Sequence, residues 1–279
     1  MNKYDGYTEL SFIPKNGRTL VDTLKYHGQS RVSARMQLNN EDTLCYFLIA
    51  MGGGLTEGED YYTKISLAED TRAIISTQAP TYIFKCDNHE ITHQINEISV
   101  KKDAILEYLP DSLIPYRNAR YRQDSEINVE KGGTLIYTDG LTSGWSPDGT
   151  EFSYEDIQLK TQITYDGDLM YADNVILEPN VFKMQDLGFF DNYKNYDSLV
   201  VVNEKIDNAF VKELQDKFKQ QDKVRVGISK LEGPGFVMRI LGDNINFNRK
   251  VLMDCVDDIR GKLFGSPKLD LRKDPRFVY

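Results

Sequence analysis

A short pattern that recurs about every thirty residues limits the possible fold of this chain more than any other feature of its sequence. Each copy is an apolar, polar, apolar segment followed by a polar turn and a fresh apolar strand. The copies begin at Met36, Ile65, Ile98, Ile127 and Ile157, and so lie 29, 33, 29 and 30 residues apart. Such a period is typical of stacked units, because one hairpin-like unit cannot bury its apolar face alone. A β-sandwich, in which hairpins also recur, is the alternative.

The composition is that of a folded protein rich in β-structure. The 279 residues are 40% hydrophobic and include 17 tyrosines and 13 phenylalanines, and aromatic residues are enriched in strands. The length permits one large domain or two small ones. Since no linker divides the chain, we expect a single domain over residues 1–279. The net charge of −9 argues against a nucleic acid partner, because such partners select a basic surface.

The cysteines and the first residues indicate where the protein works. Cys45, Cys86 and Cys255 are too few and too scattered for a disulfide framework. Residues 1–6 lack the apolar core of a signal peptide, and no apolar run is long enough to span a membrane. The sequence therefore predicts a cytoplasmic protein with no membrane attachment.

Two helices are predicted in the last third of the chain. Residues 207–220 have apolar side chains at helical spacing, and Asp207 is suited to cap the first turn. Residues 248–264 have one broad apolar face. Gly265 and then Pro267 end this second helix.

The segments around these helices are also predicted. Residues 223–229 and 235–241 lie between the helices and are expected to be strands, because apolar residues alternate cleanly in the first and follow a Gly-Pro turn in the second. The tail, residues 265–279, is rich in lysine and arginine. We expect this tail to be exposed to solvent.

Three consecutive glycines follow a short apolar run. Residues 46–51 are too few to span a membrane and fit a strand buried on both faces. Gly52, Gly53 and Gly54 come next, and glycine permits positive φ or the close approach of another chain segment. A phosphate-binding loop would need a Gly-Lys-Ser or Gly-Lys-Thr sequence and a following helix. That interpretation fails here, because residues 61–67 are predicted to be a strand.

The glycine run begins a series of motifs that covers most of the chain. Gly-Gly-Gly-Leu-x-x-Gly-acid precedes a strand and then Thr-Gln-Ala-x-Thr-x-Ile-Phe-Lys at residues 77–85. Further blocks lie at residues 106–122 and 235–243. Together, and in this order, the blocks resemble the UreD family of urease accessory proteins, also called UreH. The motif residues carried over from this resemblance are Gly52, Gly53, Gly54, Thr77, Gln78, Ala79, Arg239 and Gly242.

The sequence departs from the family pattern at four places. Ser76 stands where threonine is usual, Pro80 where alanine or serine is usual, and Tyr82 where lysine is usual. The aspartate of the first motif falls at Glu59, with Asp60 one place later. The resemblance therefore leaves both Glu59 and Asp60 as candidates for the role of that carboxylate.

The resemblance implies a fold and a function. The fold class is mainly β, with β-helix-like stacked strands and two α-helices in the C-terminal third, within one UreD-like domain. The function is that of a maturation chaperone and not of an enzyme. As a scaffold, the protein would dock on apo-urease and on a UreF-type helical co-chaperone, and through the latter on a UreG-type GTPase. It would aid nickel insertion and metallocentre assembly, with nickel in transit and no tightly bound cofactor.

Acidic residues near two of the motifs are the candidate site. Glu59 and Asp60 follow the glycines, and Asp139 lies in the turn-rich residues 137–144. Judged by residue type alone, all three belong to solvated turns. The resemblance implies instead a polar internal passage for nickel, in which Glu59, Asp60 and Asp139 are transient ligands. Carboxylate oxygens suit this role, because thiolates would hold the ion more tightly.

Cys86, His89 and His93 have a spacing that suggests a metal site. However, residues 90–100 are predicted to be a strand, in which residues four apart lie about 13 Å from each other. His89 and His93 are therefore not expected to share one ion. Cys86 and His89 could still meet across a turn, but two or three ligands fall short of a closed site.

Two other classes of function stay open. A β-helix enzyme acting on carbohydrates would need acids and bases clustered on one exposed sheet face. A plain protein-interaction module would have no part in metal traffic.

Overall fold

The computed structural model describes residues 3–38, 41–221 and 223–273. Two β-sheets stack face to face, and two helices cover the outer face of the second sheet. The elements in chain order are β1 (Gly6–Lys15), β2 (Arg18–Gly28), β3 (Ser30–Val32), β4 (Leu44–Ala50), a 3₁₀ turn (Met51–Gly53), β5 (Gly54–Leu55), β6 (Asp60–Leu67), β7 (Arg72–Thr77), β8 (Thr81–Ile83), β9 (Thr92–Val100), β10 (Ile105–Leu109), β11 (Leu113–Pro115), β12 (Arg120–Val129), β13 (Thr134–Thr142), β14 (Asp156–Tyr165), β15 (Asp168–Leu177), β16 (Asn195–Val202), α1 (Asn208–Phe218), β17 (Val224–Lys230), β18 (Gly235–Gly242) and α2 (Ile245–Phe264).

The chain coils so that successive strands alternate between the two sheets. The first sheet has the order β15-β14-β12-β9-β6-β1-β2, and the main path of the second is β17-β18-β16-β13-β10-β7-β4-β3. The pairs β6 with β7, β9 with β10 and β12 with β13 each place one strand in each sheet. Five of these strands run parallel to their neighbours of the same sheet, whereas β13 is parallel to β10 and antiparallel to β16. This β-helix-like stack with two helices in the C-terminal third confirms the predicted fold class.

One apolar ladder shows how the stack is built from the repeat. Leu10, Ile65, Ile98, Ile127 and Ile163 are cross-strand neighbours in the first sheet. None of the five is more than 2% exposed. The ladder faces the second sheet, and burial of each such side chain contributes about 1.5–3 kcal/mol. The three central copies of the repeat are thereby confirmed.

The two outer copies of the repeat are wrong. Ile163, and not Ile157, is the partner of Ile127, while Met36 pairs with Cys45 in an isolated bridge at the second sheet. Alternation reveals which face a strand buries but not its register. Ile157 lies an even number of residues before Ile163 and points to the same side, so the pattern alone could not separate them.

The helices agree with prediction to within three residues at each end, and α1 ends at Phe218, two residues before the predicted end. The Asp207 carboxylate caps α1 and accepts a hydrogen bond from the Phe210 N–H at 2.8 Å. The start of α2 is Ile245, earlier than predicted, because Asn244 provides the cap. Gly265, with a φ of 63°, ends α2 as expected. Within the described parts of the chain, neither helix combines the length and apolar composition that crossing a membrane requires.

A buried ion pair ties α2 to the second sheet. The side chains of Arg260 and Glu107 are in contact and fully buried. Glu41 also contacts Arg260, and Arg72 approaches Glu107 to 2.9 Å. Buried charges are tolerated only when they are paired. The network therefore fixes where α2 lies on the sheet.

The described part of the C-terminal tail is not wholly exposed, contrary to expectation. Leu269 and Leu271 are buried in the cluster between the helices and the second sheet. Lys273 is nearly buried, and its ammonium lies 2.7 Å from Asp111. The tail packs because two leucines in an otherwise polar segment can bury their side chains beside α2. Residues 274–279 of the predicted tail lie outside the described residues.

Candidate functional site

A row of polar side chains crosses the inner face of the first sheet. Thr8, Thr63, Asn96, Ser125 and Thr161 are cross-strand neighbours, next to the apolar ladder. All five are buried, and Asn96 Nδ2 donates to Ser125 Oγ at 3.0 Å. Five strands spaced about 4.8 Å apart make this row about 19 Å long. Burying polar groups costs free energy unless they are hydrogen-bonded, so such a row calls for an explanation beyond packing.

The row borders a cavity of about 400 Å³ between the sheets. Gly53, Gln78 and Ala79 are exposed and belong to its wall, so these motif residues form its outer rim. Deeper inside, the wall carries hydroxyl, amide and carboxylate oxygens. The polar residues of the inner wall are Thr8, Thr63, Gln94, Asn96, Tyr108, Tyr121, Gln123, Tyr137 and Asp139.

Asp139 lies inside strand β13 and not in a turn, which corrects the expectation from the sequence. It pairs with Ser198 of β16 and points between the sheets. The following residue, Gly140, does not make a turn. A Cβ atom there would lie only 2.4 Å from the carboxylate of Asp197, so the glycine permits close packing of neighbouring strands.

The Asp139 carboxyl is half-buried because one side of it faces the cavity. Gln123 Nε2 and the Tyr137 hydroxyl donate to Oδ2 at 2.9 and 3.2 Å, and the Gly140 N–H donates to Oδ1 at 2.8 Å. Desolvation and, to a smaller extent, the charge of Asp173 together raise the pKa of Asp139 to about 7, although these hydrogen bonds act to lower it. Such a carboxyl gains and loses its proton near neutral pH.

A second, smaller cavity of about 10 Å³ lies on the other side of Asp139. Tyr137 and Asp139 belong to the walls of both cavities. The small cavity is also lined by Thr161, the last residue of the polar row, and by Asp173 of β15. The two cavities therefore follow the polar row across the strands, and Asp139 lies where they meet.

An ion pair between the sheets involves Asp173, in the wall of the small cavity. Arg239 Nη2 lies 2.9 Å from Asp173 Oδ2, and the Tyr171 hydroxyl donates to the same oxygen at 2.9 Å. Sequence reasoning missed Asp173. The signal was present, because Tyr171, Asp173 and Val175 alternate on the inward face of β15, and a carboxylate on such a face is unusual.

Glu59 and Asp60 lie apart from Asp139. Glu59 is half-buried and accepts hydrogen bonds from the Tyr61 hydroxyl and, at 3.3 Å, from the Thr56 N–H. Asp60 is exposed on the outer face of the first sheet, 3.3 Å from His93 Nδ1. The described cavity wall includes Tyr61 but neither carboxylate. Glu59 is thus one side chain away from the cavity, and Asp60 faces solvent.

The other motif residues shape the rim and the packing. Gly52 and Gly53 have φ values of 72° and 83°, which glycine adopts without strain. The Thr77 hydroxyl donates to Asp111 at 3.0 Å beside the rim. A Cβ atom at Gly242 would lie 2.0 Å from the Asn248 side chain, so this glycine allows α2 to approach β18.

The cysteine and histidines of the suspected metal motif have separate partners. Cys86 is buried and its Sγ accepts the Arg120 N–H at 3.3 Å. His89 lies 3.0 Å from Glu155, while His93 pairs with the exposed carboxylate described above. In the described ranges, no three side chains of histidine, cysteine, aspartate or glutamate lie together so that they could hold a metal ion. The carboxylates that line the cavities therefore do not form a cluster of three.

Comparison with known proteins gives a consistent match over nearly the whole chain. The family model described as "UreD urease accessory protein" matches residues 4–275. A urease accessory protein UreD of Streptococcus salivarius (strain 57.I) is 42% identical over 275 residues, which cover 97% of each chain. The protein of the same name from Lachnoclostridium phytofermentans is 33% identical over 98% of this chain and 100% of its own. That of Bacillus cereus (strain ATCC 10987 / NRS 248) is 27% identical over the same shares.

Proposed function

Because the chain belongs to the family of UreD urease accessory proteins, we propose that it is a maturation scaffold that passes nickel through its interior to apo-urease. The observation that carries this proposal is the pair of cavities that meet at Asp139. Nickel is the cargo of this passage and not a resident cofactor. The protein itself performs no catalysis.

The chemistry of the cavity wall supports transit. Neutral hydroxyl and amide oxygens from Thr63, Asn96 and Gln123 can replace part of the water shell of the ion. Asp139 adds a single carboxylate beyond them. Oxygen ligands hold Ni²⁺ more weakly than imidazole or thiolate does, and conduction requires sites that bind an ion well enough to admit it but weakly enough to release it.

The pKa of Asp139 fits the same role. With a pKa of about 7, the carboxyl is partly protonated at neutral pH, so an arriving cation displaces a proton. The released proton offsets at most one of the two positive charges that Ni²⁺ brings, which lowers the cost of moving the ion into a low-dielectric interior.

The proposed partners complete the scheme. Apo-urease receives the ion, a UreF-type helical co-chaperone docks on this chain, and a UreG-type GTPase joins through that co-chaperone. GTP hydrolysis belongs to the GTPase. The assembly works in the cytoplasm, without nucleic acid or membrane. Membership in a family of urease accessory proteins supports the urease part of this scheme.

The two other functional classes are less well supported. A carbohydrate-active enzyme needs its carboxylates on an accessible face, whereas Asp139 points between the sheets. An interaction module with no role in metal traffic would tolerate loss of the Asp139 charge, and this difference is the basis of the test.

The test compares two exchanges of aspartate for asparagine. Asp139→Asn removes the internal carboxylate, while Asp124→Asn is the matched control on the outward face of β12, where the side chain is 56% exposed. Each variant is produced together with urease and the co-chaperones. We expect both variants to bring down apo-urease, and Asp139→Asn to yield urease with several-fold less nickel and activity.

Two results would overturn the proposal. Normal nickel content with Asp139→Asn would show that Asp139 is not part of the path. Loss of the complex with Asp139→Asn, with the control intact, would assign the residue to docking or folding.

A further inference from the structure

Arg239 is a motif residue whose function is not explained by the passage described above. It lies in β18 and its side chain is 51% exposed. It belongs to the same cross-strand row as Ser198 and Asp139, so it lies two strands, or about 10 Å, from Asp139. Its guanidinium reaches across to the first sheet and pairs with Asp173 at the end of the passage.

Both carboxylate oxygens of Asp173 accept hydrogen bonds while it is paired with Arg239. Its Oδ2 atom accepts from Arg239 and from the Tyr171 hydroxyl, and its Oδ1 atom accepts from the Asn174 N–H at 3.1 Å. Asp173 also lines the small cavity together with Asp139. A cation that leaves Asp139 in this direction therefore meets a carboxylate already neutralised by a guanidinium.

We propose that Arg239 is the exit gate of the passage, which retains a divalent cation until the guanidinium leaves Asp173. The proposal rests on the proposed function, since it needs an ion in transit. Arginine stays charged at every physiological pH, so the closed gate repels cations as well as blocking their ligand. A divalent ion competes with the guanidinium for Asp173 more strongly than an alkali ion does, because its charge is twice as large.

The strength of this ion pair suits a gate. Half-exposed ion pairs contribute little to stability, so the contact between Arg239 and Asp173 opens at little cost. The fully buried pair of Arg260 and Glu107 is a structural contrast. At the rim end, Asp111 is held by both Arg249 and Lys273, and its side chain is only 7% exposed. The pair at Arg239 is thus the easier one to open.

The experiment measures retention of nickel by the complex of this chain with its co-chaperones, without urease. The complex is loaded with Ni²⁺, freed of excess metal by gel filtration and mixed with a chromophoric chelator. We expect slow release from the unaltered complex and severalfold faster release from Arg239→Met. The matched control is Arg225→Met on β17, because Arg225 makes a similar exposed pair, with Asp191, and is 56% exposed.

The outcomes separate the gate from the passage. Equal release rates for Arg239→Met and the unaltered complex would overturn the gate. If the unaltered complex retains no nickel, the passage itself is contradicted. The same holds if the Asp139→Asn complex binds as much nickel as the unaltered complex. Should Arg239→Met not assemble, Asp173→Asn removes the other half of the pair. Retention of nickel by Asp173→Asn as in the unaltered complex would then overturn the gate.

Discussion

Gln123 and Asp139 meet across the space between the two sheets, with Gln123 Nε2 2.9 Å from Asp139 Oδ2. One residue comes from β12 of the first sheet and the other from β13 of the second, and the two strands follow each other directly in the chain. The contact places a carboxylate that can change its charge at neutral pH inside the stack. Stability and function should therefore both depend on this one side chain.

The stability of the protein should depend on pH through Asp139. Its pKa is about 7 in the folded state against 3.8 ordinarily, so between these values the folded state holds a proton that the unfolded state has lost. Stability therefore falls as pH rises through this window, at up to about 1.4 kcal/mol per pH unit. In urea unfolding, Asp139→Asn should gain stability relative to the unaltered protein between pH 5 and pH 8.

The comparison with the variant isolates this carboxyl from others. Burial also raises the pKa of Asp197 to about 6, and that contribution is common to both proteins. A difference in unfolding free energy that stays constant from pH 5 to pH 8 would contradict the assignment of the shifted pKa to Asp139.

Much of the fold could be predicted from the sequence, because local rules decide it. Helical spacing and the Asp207 cap locate α1, and strict alternation locates the strands that carry Ile65, Ile98 and Ile127. The register at Ile163 could not be predicted, since alternation is unchanged by an even shift. The sequence pattern places Gly140 in a turn, whereas the structure places it inside a strand. A glycine required for close packing between strands looks the same in a sequence as a glycine required for a turn.

The site was harder to predict than the fold. The motifs identify Asp139 and Arg239 as special positions, but the spacing in sequence does not reveal that both lie in one cross-strand row. Asp173 has no motif around it. Its role depends on contact between β15 and β18, which lie in different sheets, and such contacts are set by tertiary packing rather than by local pattern.

Removal of Glu107 should destabilise the protein strongly. Glu107→Leu leaves the fully buried guanidinium of Arg260 with Glu41 as its remaining carboxylate. Breaking a buried pair in this way costs about 3–5 kcal/mol, measured as a lower urea midpoint. Asp216→Ala, which breaks an exposed pair with Lys212, should cost less than about 1 kcal/mol. Similar losses from the two variants would show that the buried network carries little of the stability.

The motif glycine at position 242 should matter for packing, and another glycine provides the control. Gly242→Ala brings a Cβ atom within 2.0 Å of Asn248 Oδ1 and 2.8 Å of Val224. Because Asn248 is buried and bonded to Asp197, it cannot move away freely, and overpacking costs about 1–3 kcal/mol. Gly227→Ala in the adjacent strand has open space around its Cβ. It should change the free energy of unfolding by about 0.5 kcal/mol or less and therefore shift the melting temperature by about 1–2 °C at most. Equal melting temperatures for the two variants would contradict the packing role of Gly242.

The two carboxylates that follow the glycine run should differ in their effect on nickel delivery. Glu59 is bonded to Tyr61, whose ring lines the cavity, whereas Asp60 faces solvent beside His93. Glu59→Gln keeps the shape of the side chain and removes the charge next to the rim. It should lower the nickel content of urease, while Asp60→Asn should not, and both should still bring down apo-urease. The reverse order would place the motif's carboxylate at Asp60 and put the entry on the outer face of the first sheet. If neither variant changes the nickel content, the path begins elsewhere along the rim.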